Sequence, residues 1–433
     1  MRHANGQLLF SATDLSRHLA CNYLTSLRRS VAFGELEPPP PYDDPRAEVL
    51  RQRGLEHEQR LLDQLATDGR TVETITPPDT PFSHRDPVAA ATRTRDAMRR
   101  RTDVICQGRL EDEGGRWSGY PDFLLRVDRP CMLGGWSYEV LDTKLARRAK
   151  AEALLQLLLY SDLLTLAQGV EPELMHLALG GAGSENPASF RVAEYAAYYR
   201  AVRQRFEAHA ASPADTYPEP VEHCGVCEWQ QDCMARRRAD DHLSLVAGIT
   251  RGQRARLAEL EVTTMAALGA LRLPVSPRLD GIGEAALARI REQARVQDQA
   301  RREGRRIHEF VTPVEPDKGL AALPEPSDGD VFFDLEGDIF AADGGLEYLF
   351  GVVDRNGNYN PSWALDPASE KRVFERFIDD VMARWEQHPG FHIYHYGAYE
   401  TTAVKRLMSC YATREDEVDR LLRGRVFVDL HRV

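Results

Sequence analysis

The chain has 433 residues, 42% of them hydrophobic and 28% charged, with a net charge of −12 and a pI near 5.6. That length allows two or three domains of roughly 100–200 residues each, with the composition of ordinary globular proteins. It holds no run of about 18 apolar residues, which excludes a membrane-spanning helix, and the opening MRHANGQLLF lacks the apolar core of a secretory signal. The expected compartment is the cytoplasm. An acidic balance argues mildly against nucleic acid as partner, but phosphate contacts are made by local patches. Such patches are Arg99, Arg100 and Arg101; Arg147, Arg148 and Lys150; Arg236, Arg237 and Arg238; and Arg301, Arg302, Arg305 and Arg306. Taken singly, each fits a solvated helix face. The seven cysteines are unevenly spaced, which does not describe a disulfide scaffold.

In chain order, Asp44-Pro45 predicts a helix start, with Asp as N-cap and Pro at the first helical position; the helix runs through AEVLRQRGLEHEQRLLDQLA to Gly69. Strands are predicted at VICQGRL, PDFLLRV, YEVLDTK and LMHLALG, with a long helix, AKAEALLQLLLYSDLLTLA, between the last two. Grouped strands with flanking helices predict a mixed α/β domain over residues 1–240 rather than a regular βαβ alternation. Residues 245–300 read as helical, from ITRGQRARLAELEVTTMAALGAL to LDGIGEAALARIREQA. Residues 301–329 are a Pro- and charge-rich linker. A third segment, 330–433, opens with the strand VFFDLEGD. It continues through the strand EYLFGVV, a turn at RNGN, the helix ASEKRVFERFIDDVMARW, the strand FHIYHY and the helix ETTAVKRLM. The chain stops just after another strand at RVFVDLHRV, an odd place for a domain to finish, so a longer parent chain is expected.

Four pieces of the first segment carry chemistry in order. GLEHE puts His57 and Glu58 on a helix, and GYPD puts Asp122 at the start of a strand. LDTK puts Asp142 and Lys144 two apart on one strand face, and QLLLY puts Gln156 and Tyr160 on one helix face. Phosphodiester hydrolysis needs hard oxygen ligands for Mg²⁺ or Mn²⁺. Asp122 and Asp142 offer carboxylates and His57 a nitrogen. Lys144 can orient water and stabilise phosphate charge, while Gln156 and Tyr160 hold a DNA strand or buttress the lysine. A lone D-x-K says nothing, and a lone His57 fits a helix surface; the ordered set is far more specific. The series resembles the RecB-like branch of the PD-(D/E)xK nucleases over about the first 240 residues. The resemblance implies a restriction-endonuclease-like mixed sheet, metal ligation by His57, Asp122 and Asp142, and a catalytic Lys144; Glu58 assists or replaces His57.

Cys224-x2-Cys227-x5-Cys233 lies just after that segment, and Cys21 is the candidate fourth soft ligand. Four thiolates bind zinc or a [4Fe–4S] cluster; one distant cysteine plus a triplet is less typical of zinc. The pattern is similar to the iron–sulfur staple of AddB-type helicase–nucleases and of CRISPR-associated RecB-like exonucleases, which implies a [4Fe–4S] cluster. Joining Cys21 to Cys224 closes a loop of about 200 residues, worth several kcal/mol in principle.

LDGIGEAALARI resembles the second half of a helix–hairpin–helix motif, with Gly281 and Gly283 making a hairpin that offers backbone N–H groups to a DNA phosphate; a glycine turn between packing helices is the plainer reading. In VFFDLEGD, Asp334 and Glu336 share a strand face. This D-x-E pair resembles the opening motif of DEDD exonucleases with an RNase H-like fold, closest to the YprB type. The resemblance implies two metals and a further acid after the fourth strand, where Glu400 stands although Asp is usual; Asp429 is another acid nearby, and the family's last helical Asp lies beyond the chain.

The whole reading is an α/β protein: a restriction-endonuclease-like core, a small helical connector and a partial RNase H-like domain. Its expected function is Mg²⁺- or Mn²⁺-dependent hydrolysis of DNA, at single-stranded ends, in repair, recombination or defence. No Walker-type phosphate loop is present, so a helicase would act in cis beyond these residues or in trans. The alternatives are a catalytically weak nucleic-acid-binding scaffold and an RNA-directed exonuclease using the last domain.

Overall fold

The computed structural model describes all residues except 5, 41–44, 78–85, 181–185, 214–215, 277–278, 317, 340 and 342–343. The predicted Asp44 cap lies outside the described residues; its helix is Pro45–Thr67. The chain forms two compact units, Met1–His308 and Glu309–Val433.

The first unit is built on a six-stranded mixed sheet. Its order is Ala188–Arg191, Leu174–Leu179, Ser137–Lys144, Phe123–Val127, Val104–Cys106, Val72–Thr74. Strand Ser137–Lys144 runs antiparallel to Phe123–Val127 and parallel to Leu174–Leu179. A parallel neighbour needs a crossover, and the helix Ala151–Gln168 supplies it. That helix buries Leu155, Leu157, Leu158, Leu159, Leu163 and Leu164. A helix apolar on every side must be covered on every side: it packs on the sheet and against the helices Ala12–Ala20 and Val192–Ala211. Strand alternation divides the two faces. Ile105, Leu124 and Val140 face this helical layer, whereas Cys106, Phe123 and Leu141 meet Leu61 and Leu65 from the helix Pro45–Thr67.

The helical segment belongs to this same compact unit and has its own core, including Leu257, Leu268, Leu287 and Ile290. Its first stretch is not one helix. Arg251–Ala258 ends at a turn where Glu261 takes a left-handed φ of 59°, and Met265–Ala270 restarts after Thr264 caps it by accepting a hydrogen bond from Ala267 N at 3.1 Å. The β-branched run Val262-Thr263-Thr264 favours that break. The next helix of this segment is Glu284–Glu303.

The second unit carries a five-stranded sheet in the order Tyr359–Trp363, Leu346–Asp354, Val331–Asp338, Ile393–His395, Phe427–Asp429. The first three are antiparallel, and the last two run parallel to the central Val331–Asp338. Strand Tyr359–Trp363 has no counterpart among the predicted elements. Pro361 lacks a donor and interrupts any alternation, which confines such a strand to an edge, where it lies. Helix Pro367–Gln387 starts at Asp366, whose carboxylate accepts from Ser369 N at 2.7 Å. It buries Phe374, Phe377 and Ile378 against Val331, Phe333 and Leu335 of the central strand.

Candidate active sites

In the first unit, side chains from a helix, from strand Ser137–Lys144 and from the turns beside two neighbouring strands converge. Asp142 is fully buried, and its Oδ2 accepts from Lys144 Nζ at 2.5 Å; the strand period of two that puts both on one face makes this bond possible. Asp142 Oδ1 accepts from the backbone N–H of Asp122 at 3.3 Å. Asp122 Oδ2 accepts twice from Thr143, from its N–H and its hydroxyl, both at 2.7 Å. Its other oxygen meets Gln107, whose Nε2 donates to Asp122 Oδ1 at 3.1 Å and to Glu58 Oε1 at 2.8 Å. Glu58, Asp122 and Asp142 thus form one chain of linked carboxylates with Lys144 at its end.

His57 is buried beside Glu58 but is turned elsewhere, with Nε2 3.3 Å from the carbonyl oxygen of Ala178. Burial lowers its pKa. Gln156 Nε2 donates to the Tyr160 hydroxyl at 3.1 Å, the contact expected of i and i+4. The Tyr160 ring lies over Gly119 of the GYPD stretch: a Cβ there would stand 2.2 Å from the ring.

Electrostatics follow from this crowding. Burial, then the negative charges of Asp142 and Glu58, push Asp122 well above the usual carboxylate range. Burial alone would lower the Lys144 pKa, but Asp142, Asp122 and Glu58 outweigh it and raise it, so the ammonium stays charged at neutral pH. Three carboxyl groups stand against one ammonium, and the amide of Gln107 donates to two of them. Carboxylate oxygens match a hard divalent cation. Among the described residues, no three His, Cys, Asp or Glu side chains already stand as a group that could hold a metal ion; Gln107 separates two of these carboxylates. Gln107 itself escapes the sequence reading, because VICQGRL reads as one strand; the strand ends at Cys106, and Gln107 takes a φ of 51°.

Cys21, Cys224, Cys227 and Cys233 line one small cleft together with Trp229 and Pro218, and all four are free thiols, half-buried. Cys21 stands between the helices Ala12–Ala20 and Asn22–Ala32, Cys224 and Cys227 in and just after the turn Glu222–Val226, and Cys233 on the helix Gln230–Ala239. Burial raises the pKa of Cys21 and Cys227 and pushes Cys233 up to about 11, with the neighbouring thiols adding to each. Arg237, buried on that last helix, opposes this at Cys21 and Cys233. Its Nε has no hydrogen-bond partner among the described residues. Among the described residues, no three of these thiols stand as a group that could already hold a metal ion.

Gly281 takes a φ of 82° and Gly283 is the N-cap of Glu284–Glu303, so both stand in the turn leading into that helix. Leu279 and Ile282 beside them are buried in the helical core.

In the second unit, Val331, Phe333 and Leu335 point into the core and Asp334 and Glu336 point out, both exposed on the opposite face of the strand. Glu400 is buried in the first turn of the helix Tyr399–Tyr411, where its Oε2 lies 3.3 Å from His395 Nδ1. Burial raises its pKa; His395 opposes that, and the negative charge of Asp334 adds to it. Asp429 ends the last strand and accepts from the N–H groups of Gly397 and His431 at 2.8 and 2.9 Å. Burial would raise its pKa; those two N–H groups, with His395 and Arg432, hold it low. The acids gather toward the carboxyl ends of three parallel strands. There the chain passes to one side of the central strand first and to the other side later, the place where open α/β sheets bind ligands. His395 and Tyr399, whose hydroxyl donates to Glu347 at 2.8 Å, join this group and were not singled out by the sequence motif.

Comparison with known proteins bears on this second unit. The family model of the RNase H superfamily, RNase_H_2, matches residues 331–433. That stretch is an RNase H-like domain, a fold found among nucleases that act on nucleic acid, and nucleases of this kind usually use divalent metal ions. No curated protein matches the chain. No helix among the described residues is long and apolar enough to cross a membrane.

Proposed function

We propose that the protein is a divalent-metal-dependent nuclease that hydrolyses phosphodiester bonds of DNA, with single-stranded ends as substrate, through the centre in residues 1–240. The observation that carries this is the continuous link Glu58–Gln107–Asp122–Asp142–Lys144. Glu58, Asp122 and Asp142 would hold Mg²⁺ or Mn²⁺, which when bound polarises the phosphate and lowers the pKa of a bound water. His57, facing the Ala178 carbonyl, supports the wall of the site rather than its centre. Thr143 fixes the Asp122 carboxylate by two hydrogen bonds. Lys144, cationic and held by Asp142, stabilises charge on the phosphate and orients water. Gln156 and Tyr160 flank the lysine. On this reading the first domain is of the RecB-like PD-(D/E)xK type, and Cys21, Cys224, Cys227 and Cys233 hold a [4Fe–4S] staple compensated by Arg237. Gly281 and Gly283 present backbone N–H groups to the DNA backbone, and a helicase supplies unwound strands.

A second reading places hydrolysis, of RNA or DNA, at Asp334, Glu336, Glu400 and Asp429. The RNase H superfamily match favours it specifically.

The test is degradation of end-labelled single-stranded DNA and RNA with Mn²⁺ by wild type, Lys144→Ala and Asp334→Ala. Loss only with Lys144→Ala supports the first reading, and loss only with Asp334→Ala supports the second. Activity retained in both variants overturns both, and a wild type that binds strands without cutting them is a scaffold. For the staple, anaerobically purified protein should contain about four iron and four sulfide per chain; stoichiometric zinc without iron overturns it.

A further inference from the structure

Beside the carboxylate centre, a separate cavity of about 200 Å³ opens around the loop that follows strand Ser137–Lys144. Its charged lining is Lys144, Arg148 and Lys150 against one acid, Glu152. Lys144 is committed to Asp142, but Arg148 and Lys150 are exposed and have no ion-pair partner among the described residues. They differ in this from Arg51, Arg100, Arg126 and Arg301, each of which is paired with a carboxylate. Leu145, Leu177 and Gln156 line it as well.

The loop is held in place rather than free. Gly180 N donates to Ala146 O at 3.2 Å, and a Cβ on Gly180 would stand 2.3 Å from the Leu145 carbonyl oxygen. Backbone approach that close admits only glycine, and it pins the segment bearing Arg148 and Lys150 to the end of strand Leu174–Leu179. The cavity is smaller than the roughly 300–1,000 Å³ of pockets for larger ligands. Its size, with exposed cationic side chains and apolar ones in the same lining, suits a phosphate and its sugar.

We propose that this cavity is a strand-binding subsite that takes the phosphodiester next to the one cleaved, with Arg148 and Lys150 as its phosphate contacts. The proposal rests on the nuclease reading of the adjoining centre, since Lys144 and Gln156 belong to both. Contacts to phosphate carry no sequence information, so the subsite would fix the position of any single strand across the centre.

The experiment measures binding of a fluorescent single-stranded oligonucleotide by anisotropy in EDTA, over about 50–200 mM salt, where counterion release makes affinity salt-dependent. The full chain is compared with Arg148→Ala/Lys150→Ala and with Arg302→Ala/Arg305→Ala, which removes equal charge from the helix Glu284–Glu303 and the residue pair after it. At about 0.7 per phosphate contact on a single strand, the subsite variant should lower the slope of log K against log salt by about 1.4, and the control pair should leave it unchanged. An unchanged slope in the subsite variant, an equal fall in both variants, or no binding by wild type overturns the proposal. Cleavage is scored separately: a wild type that binds with the expected slope but never cuts removes the nuclease reading and the placement beside a cleaved bond, while the slope change still reports Arg148 and Lys150 as phosphate contacts.

Discussion

The two acidic centres are built from the same local device, a pair of side chains two residues apart on a strand, yet they end in different surroundings. In the first unit Asp142 is fully buried, and the neighbouring carboxylates form a hydrogen-bonded chain ending on a lysine. In the second, Asp334 and Glu336 stand exposed on the strand, while Glu400 is buried against His395. Strand spacing decides which face two residues share; the layer packed on that face decides whether their charges interact strongly. Burial makes an uncompensated carboxylate costly. The first centre therefore needs Gln107, Thr143 and Lys144 to exist at all, whereas water can serve the second.

That contrast can be broken first at the level of the cores. Phe374 is fully buried in the second unit, and Phe374→Ala should cost that unit about 3–5 kcal/mol. Its melting transition should drop while Mn²⁺-dependent DNA cleavage persists; loss of cleavage would move the chemistry to the RNase H-like domain. Next in size, Lys144→Ala should lower the cleavage rate by about 10²–10³, the loss expected on removing one preorganised donor, with strand binding in EDTA far less affected. A rate within about threefold of wild type would leave the lysine outside the chemistry.

Gln107→Ala sharpens the comparison at the carboxylates. It strips the shared donor from Glu58 and Asp122, so thermal stability in EDTA should fall by about 1–3 kcal/mol. Mn²⁺ should restore more stability to the variant than to wild type; equal stabilisation of both proteins would argue that no cation sits between those acids. The smallest effect concerns pH. Burial, then His209 and Arg205, lower the His18 pKa to about 4, while its Nδ1 meets Thr25 Oγ1 at 3.0 Å. A histidine kept neutral by folding takes up its proton more readily when unfolded. Its stabilisation is therefore complete above pH 6.5 and is lost as pH falls toward about 4. Melting curves of wild type and His18→Gln should converge over that window, and parallel curves would remove His18 from the acid response.

Several parts of this were legible in the sequence because they depend on period alone. The D-x-K and D-x-E pairs, the Gln156–Tyr160 pair and the mixed α/β character are of this kind. The helix Val192–Ala211 was equally readable, with Val192, Tyr199, Val202, Phe206 and Ala210 on its buried side, but only a systematic count of apolar spacing would find it. Other parts depend on tertiary placement. Whether His57 or Glu58 faces the carboxylates is set by the rotation of one helix over the sheet, and two adjacent polar residues give no hint of it. Gln107 matters because the chain turns at the end of its strand, and neither the turn nor the bridging amide leaves a local pattern.

The glycine of GYPD has a mechanical consequence. Because the Tyr160 ring rests where a Cβ of residue 119 would be, and Gln156 is bonded to that ring's hydroxyl one helical turn away, a single added methyl at Gly119 acts as a wedge. It would tip the aromatic plate, drag the glutamine with it and change the shape of the wall beside Lys144, although no charged or coordinating atom had been touched.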